Sequence, residues 1–201
     1  PALTGLRVAI QGAGAVGLGA AIQLTRMGAE VVGLSDVERA VRFGAPPDEA
    51  QLLSVVSKGS FVSSPTMDVD WMHREALFEL PVDAVVLAAD SNSVGVGALE
   101  KLSASLIVEG SNFGLQEEAR LVLQGRSIPV IPDVIASSAS AAMVALQLEA
   151  GGALSDQAVW MQIERCIREQ VAICRAESVR RDISMRTAAF QAAGLSDASV
   201  A

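Results

Sequence analysis

Gly12-Ala13-Gly14-Ala15-Val16-Gly17 is the stretch whose reading decides the fold. It follows an apolar run at 6–10 and opens a helical run at 16–27. A strand, then G-x-G-x-x-G, then a helix is the phosphate-binding turn of a dinucleotide-binding unit. Each glycine has a physical reason. Gly12 permits the sharp turn out of the strand, Gly14 lets a pyrophosphate approach the backbone, and Gly17 lets the helix pack close to the sheet. The helix N-terminus then offers free N–H groups and a positive dipole end. The plain alternative is a glycine-rich turn in an α/β protein that binds nothing.

The next segment favours the binding reading. A second apolar run, Glu30-Val31-Val32-Gly33-Leu34-Ser35, ends in Asp36, 24 positions after Gly12. An acid at the tip of the second strand is placed to bond the hydroxyls of an adenine ribose. Its carboxylate repels a 2′-phosphate, so NAD is expected over NADP. Arg39 is near enough in sequence to neutralise Asp36 or to meet a phosphate.

Composition sets the outer limits. The 201 residues suffice for one large domain, or one domain with an appendage. The chain is 51% hydrophobic but only 3% aromatic, with no tyrosine. Such an aliphatic excess suits a parallel sheet covered by helices on both faces. The net charge is −8 and no basic patch stands out, which speaks against nucleic-acid binding. Cys166 and Cys174 are eight apart in a helical run, about 12 Å of rise, too far for a disulfide. A reduced, cytoplasmic setting is expected. There is no run of 18 apolar residues, so no membrane span is expected. No metal-ligand cluster is read, and the lone His73 is assigned to a surface helix. The chain begins with Pro1 and no leader is visible, which reads as a processed chain or a cut-out domain.

Taken in order, the chain alternates strands and helices. Strands are expected at 6–10, 30–34, 84–89, 106–108 and 129–131, with a short one at 61–63. Residues 37–47 read as irregular. Helices are expected at 49–57, 71–79 behind an Asp70 cap, 96–102, 116–124 and 137–148. Ser155 caps a long helix to about 180, and Ser184 caps a last one at 185–193. Trp160, Ile163, Ile167, Val171 and Cys174 form the apolar stripe of the long helix. The fold class is α/β, a Rossmann-type doubly wound parallel sheet with C-terminal helices. Residues 1–150 are assigned to the dinucleotide-binding domain and 151–195 to its helical extension. Residues 196–201 read as a frayed tail.

In open parallel sheets a ligand lies beyond the carboxyl ends of the strands. Those ends carry the 12–17 turn, Asp36, residues 88–92, residues 109–112 and residues 132–138. Small residues there make room for a flat cofactor. Asn92 and Asn112 carry donors and acceptors suited to a ribose or a carboxamide. Each also reads as a turn former after a strand.

Four blocks carry a family resemblance. They are Leu6-Arg7-Val8-Ala9-Ile10-Gln11 with the glycine turn, Ile107-Val108-Glu109-Gly110-Ser111-Asn112, Ile128-Pro129-Val130-Ile131-Pro132-Asp133 and Arg186-Thr187-Ala188-Ala189-Phe190. The chain resembles, collinearly, the cofactor domain of the glutamate/leucine/phenylalanine/valine dehydrogenases. The resemblance implies that the backbone of Gly12, Ala13, Gly14, Ala15, Val16 and Gly17 takes the pyrophosphate and Asp36 the adenine ribose. It further implies that Ala88 and Ala89 line the adenosine side, Asn92 lies near the nicotinamide ribose, and Asn112 meets the nicotinamide end. Such enzymes oxidatively deaminate an L-amino acid to a 2-oxo acid. Their catalytic lysine and aspartate lie on another domain, through which the amino-acid substrate is bound, and a homo-oligomer is implied for the intact protein. The only lysines here, Lys58 and Lys101, lack the glycine-rich setting of the catalytic one, so no residue of this chain takes a catalytic role.

Departures cluster at the nicotinamide and substrate end. Ser137-Ser138-Ala139-Ser140 replaces the usual Asn-Ala-Gly-Gly, Ser91 a glutamate, and Gly114 a proline. They keep a second reading in play, a non-catalytic NAD-binding regulatory or scaffold module. A third, a hydroxy-acid dehydrogenase, lacks its histidine at a strand end.

Overall fold

The computed structural model describes residues 3–57, 68–151 and 154–195. It divides into two compact units, Pro1–Pro129 and Val130–Ala201. The strand read at 61–63 and the tail at 196–201 lie outside the described residues.

The first unit is built on β1 (Arg7–Gln11), β2 (Glu30–Ser35), β3 (Arg39–Phe43), β4 (Val69–His73), β5 (Ala84–Leu87) and β6 (Leu106–Glu109). Their order is β4-β3-β2-β1-β5-β6. β1 pairs in parallel with β2 and β5, and β5 with β6. These are the aliphatic runs of the sequence, and nearly every position in them is buried or half-buried. The helix α1 (Ala15–Arg26) returns the chain from β1 to β2 and ends at Gly28, whose φ of +89° suits only glycine. Its Leu18 and Ala21 join Ile10, Val31, Leu34 and Leu52 in one core. Leu52 belongs to α2 (Glu49–Ser57).

The sheet is not wholly parallel. β3 and β4 run antiparallel at one edge, where the sequence reads an irregular segment and a helix. The cause is the three-residue link Asp36-Val37-Glu38. A parallel return needs a crossover of about a dozen residues, so a link this short can only make a hairpin. Asp36 closes it: its Oδ1 accepts the amides of Glu38 and Arg39, each at 2.8 Å. Asp70 does not cap a helix. It lies opposite Arg42 on the neighbouring strand and forms an exposed ion pair with it at 2.6 Å. His73 ends β4 rather than sitting in a helix, and Arg74–Glu79 is a 3-10 turn. Val96–Leu99 is also 3-10, shorter than the helix expected there. α3 (Glu117–Gly125) follows β6.

The second unit holds β7 (Val130–Ile131), α4 (Asp133–Ala136), α5 (Ala139–Glu149), α6 (Asp156–Arg181) and α7 (Met185–Ala192). The single helix expected at 137–148 is two. Ser137 and Ser138 at the join turn their hydroxyls back onto the carbonyls of Asp133 and Ile135. Ser155 and Ser184 cap α6 and α7 as expected, accepting the amides of Ala158 and Thr187. The stripe on α6 is shifted by one residue at its start. Val159 is buried and Trp160 is 58% exposed, because Val159, Ile163 and Ile167 share the four-residue spacing.

Cys174 packs among Ile135, Met185 and Ala188, while Cys166 is exposed. Burial pushes the Cys174 thiol up, away from the reactive thiolate. A thiol reagent is therefore expected to label Cys166 in the native chain and Cys174 only in denaturant. Equal rates for both in native buffer would contradict this packing.

Candidate functional site

Parallel pairing brings the carboxyl ends of β1, β2, β5 and β6 to one side of the first unit. The turn after β1 lies there. The Gly12 amide donates to the Ser35 carbonyl at 2.9 Å, which ties the turn to the end of β2. Gly12 has φ +103°, and a Cβ on it would sit 2.3 Å from the Ala88 carbonyl oxygen. A Cβ on Gly17 would sit 1.8 Å from the Gly12 carbonyl oxygen. Both positions exclude a side chain, because the atoms in the way are backbone.

Gly14 is constrained differently. Nothing lies within 4 Å of where its Cβ would be. It caps α1 in an extended conformation, with no side-chain hydrogen bond and no acid in the first turn. The first-turn amides of a helix have no acceptor inside it, and here they meet open space beside exposed Gly14, Ala15 and Val16. Open volume, unsatisfied donors and a positive dipole end fit the phosphates of a dinucleotide. Ala13 is half-buried at the base of this cradle.

The other expected residues lie at the carboxyl ends of the same strands or on the loops that follow them. Ala88 continues β5, its amide donating to the Gln11 carbonyl at 2.7 Å, and with Ala89 it stays half-buried beside Gly12. Asp36 is half-buried at the tip of β2, where it holds the hairpin through Oδ1. Asn92 and Asn112 are exposed on the loops after β5 and β6. Asn92 has φ +53°, a conformation that favours Asn among non-glycine residues, so its turn-former reading holds in the backbone. The two loops are laced together. The Asn92 amide donates to the Phe113 carbonyl at 2.6 Å, the Gln116 side chain to the Asn92 carbonyl at 3.0 Å, and the Ser91 hydroxyl to the Asn112 carbonyl at 2.8 Å.

Gln11, Arg74 and Glu109 were given no role from sequence. Gln11 is a buried polar residue at the end of β1, where the Ser93 hydroxyl reaches its Oε1 at 3.4 Å. It lines a cavity of about 260 Å³ with Phe78, Ser93, Gly95, Arg74 and Gln116. Arg74 in turn reaches the Val37 carbonyl at 3.4 Å, so the cavity wall extends to the Asp36 hairpin. A polar side chain ending an apolar strand was the available signal for Gln11. The third is Glu109, fully buried at the end of β6. Its Oε1 accepts the Leu115 amide at 3.1 Å and its Oε2 the Arg120 guanidinium at 2.6 Å. Arg120 also donates to the Leu115 carbonyl at 3.2 Å. The pair closes the 110–115 loop that presents Asn112. In the second unit, Asp133 and Arg186 form a comparable buried pair.

Strand order, glycine turn and open helix N-terminus define a Rossmann-type α/β chain. The sequence profile described as Glutamate/Leucine/Phenylalanine/Valine dehydrogenase matches residues 1–197. The chain belongs to that family. It is 32% identical over 199 residues to the NAD-specific glutamate dehydrogenase A of Halobacterium salinarum, covering 91% of this chain and 42% of that protein. It is 35% identical over 161 residues to the NADP-specific glutamate dehydrogenase of Saccharolobus shibatae, covering 77% and 37%. The crystal structure of hetero-hexameric glutamate dehydrogenase from Thermus thermophilus, leucine-bound, matches with a TM-score of 0.78 at 27% identity, over 93% of this chain and 44% of that one. The chain thus spans about two fifths of the length of these relatives. Among the described residues, no helix is long and apolar enough to cross a membrane.

Proposed function

We propose that this chain is the cofactor-binding part of an NAD(P)-dependent L-amino-acid dehydrogenase, which oxidatively deaminates its substrate to a 2-oxo acid. The observation that carries the reading is the cradle over Gly14, closed to side chains at Gly12 and Gly17 and open where a pyrophosphate fits. The amides of Ala13 to Gly17 bind the pyrophosphate, and Asp36 meets the adenine ribose with the carboxylate oxygen not used in the hairpin. Ala88 and Ala89 face the adenosine side. Asn92 lies by the nicotinamide ribose and Asn112 by the nicotinamide. NAD is preferred over NADP because Asp36 repels a 2′-phosphate. When bound, the cofactor supplies the hydride acceptor, and this chain supplies position and electrostatics. The proton-transferring groups and the amino-acid site belong to a further domain of a longer, cytoplasmic, homo-oligomeric protein. Within this chain, residues 1–150 bind the dinucleotide and 151–195 extend the same domain.

One observation favours a second reading, a non-catalytic NAD-binding regulatory or scaffold module. Ser137 and Ser138, which replace an Asn-Ala pair of the family, spend their hydroxyls on backbone carbonyls. Full-length protein containing this chain, incubated with NAD and a panel of L-amino acids, is expected to produce NADH. NADH binding without turnover would favour the module, and neither binding nor turnover would overturn both.

A further inference from the structure

The hairpin at Asp36 collects charge of both signs. Asp36 and Glu38 are carboxylates, while Arg74 reaches the Val37 carbonyl from the 3-10 turn and lines the adjoining cavity together with Glu75. Arg39 starts β3, its amide bonded to Asp36 Oδ1 at 2.8 Å. Its side chain does not turn to that carboxylate. The guanidinium carbon lies 3.7 Å from the ring centroid of Trp71 on β4. The register explains the contact. Arg39 pairs with His73, so Trp71, two residues earlier, is its diagonal neighbour on the same face of the strand pair. An exposed cation is thereby held flat against a ring on the edge strand.

We propose that Trp71 strengthens the preference for NAD over NADP that Asp36 establishes, by holding Arg39 away from the ribose corner. The inference rests on the dinucleotide reading above and assigns its specificity. With Arg39 stacked, the hairpin keeps the carboxylates of Asp36 and Glu38, with Arg74 engaged on the Val37 carbonyl, a balance that disfavours a 2′-phosphate. Released from the ring, Arg39 is rooted within reach of the same corner, where a guanidinium binds phosphate through parallel N–H groups. The stacking energy at an exposed site is what the phosphate must overcome, and that corresponds to about two- to fivefold in affinity.

NADH and NADPH titrations of the 201-residue chain test this, followed by calorimetry or cofactor fluorescence. Trp71→Leu keeps an apolar side chain on the strand and removes the ring. It is expected to tighten NADPH by about two- to fivefold with NADH unchanged. Adding Arg39→Ala in that background is expected to cancel the gain, whereas Arg39→Ala alone leaves NADPH within about twofold of the parent, as a double-mutant cycle requires. An unchanged NADPH-to-NADH ratio in a folded Trp71→Leu chain overturns the proposal. So does a loss of NADPH affinity beyond about fivefold in Arg39→Ala alone, a surface variant that decides the matter even if Trp71→Leu does not fold. If the parent chain binds neither dinucleotide, the cofactor reading and this inference fall together; if it binds NADH and the ratios do not move, only this inference fails.

Discussion

Replacing Gly17 by alanine is expected to remove measurable dinucleotide affinity and to lower the melting temperature. The methyl group would lie 1.8 Å from the Gly12 carbonyl oxygen, far inside van der Waals contact, with Ala88 Cβ at 3.4 Å behind it. No side chain can swing aside, so the turn or α1 must move. Overpacking of this kind costs about 1–3 kcal/mol, equivalent to a fall of roughly 2–12 °C in a chain of this size. Gly14→Ala separates binding from folding. Its methyl meets nothing within 4 Å and the backbone there is ordinary extended chain, so the folding cost is only that of alanine for glycine at a helix N-cap and the melting temperature should stay within about 4 °C of the parent. The methyl nevertheless fills the volume assigned to the pyrophosphate, and NADH affinity should fall by at least about tenfold, or ~1.4 kcal/mol. A Gly14→Ala chain that binds NADH like its parent would mean that phosphates do not lie there.

The second large effect is at Arg120. Glu109 is completely buried and its carboxylate has two partners, the Leu115 amide and the Arg120 guanidinium. Arg120→Ala leaves that charge buried with one of them, and truncating one member of a buried pair costs about 3–5 kcal/mol. The cost is not the worth of the pair, because two charges removed together leave no uncompensated ion. Glu109→Gln combined with Arg120→Met should therefore regain a substantial part of the stability lost in Arg120→Ala. Denaturant titration reads both. A loss under about 1 kcal/mol for Arg120→Ala would contradict the claim that the variant leaves an uncompensated charge buried at Glu109. Because the 110–116 loop is laced to the 88–95 loop, the same variant should weaken NADH binding even where the chain stays folded.

The parallel half of the sheet was legible because each strand is a short aliphatic run buried on both faces. β3 and β4 were not legible for the opposite reason. Arg39 and Arg42 point outward from β3, and Asp70, Trp71 and His73 are exposed on β4, so neither segment shows a clean period. Their partners are cross-strand neighbours that exist only after the hairpin closes. Asp36 illustrates the limit. Its position as an acid at the end of β2 could be read directly, but its second task, holding the turn that reverses the chain, depends on amides two and three residues on. The cradle was readable because glycine at three fixed spacings leaves few conformational alternatives. The Glu109–Arg120 clamp was not, since nothing local links a strand end to a helix 11 residues away. Trp160 went wrong by one position, which on a helix is 100° of rotation.

The measurement that bears most directly on the central claim is a titration of the 201-residue chain with NADH, with amide exchange followed at residues 13–17. Saturable binding that slows exchange at those amides is the result this account predicts. Absence of saturable binding, or binding that leaves the 13–17 amides unprotected, would contradict it.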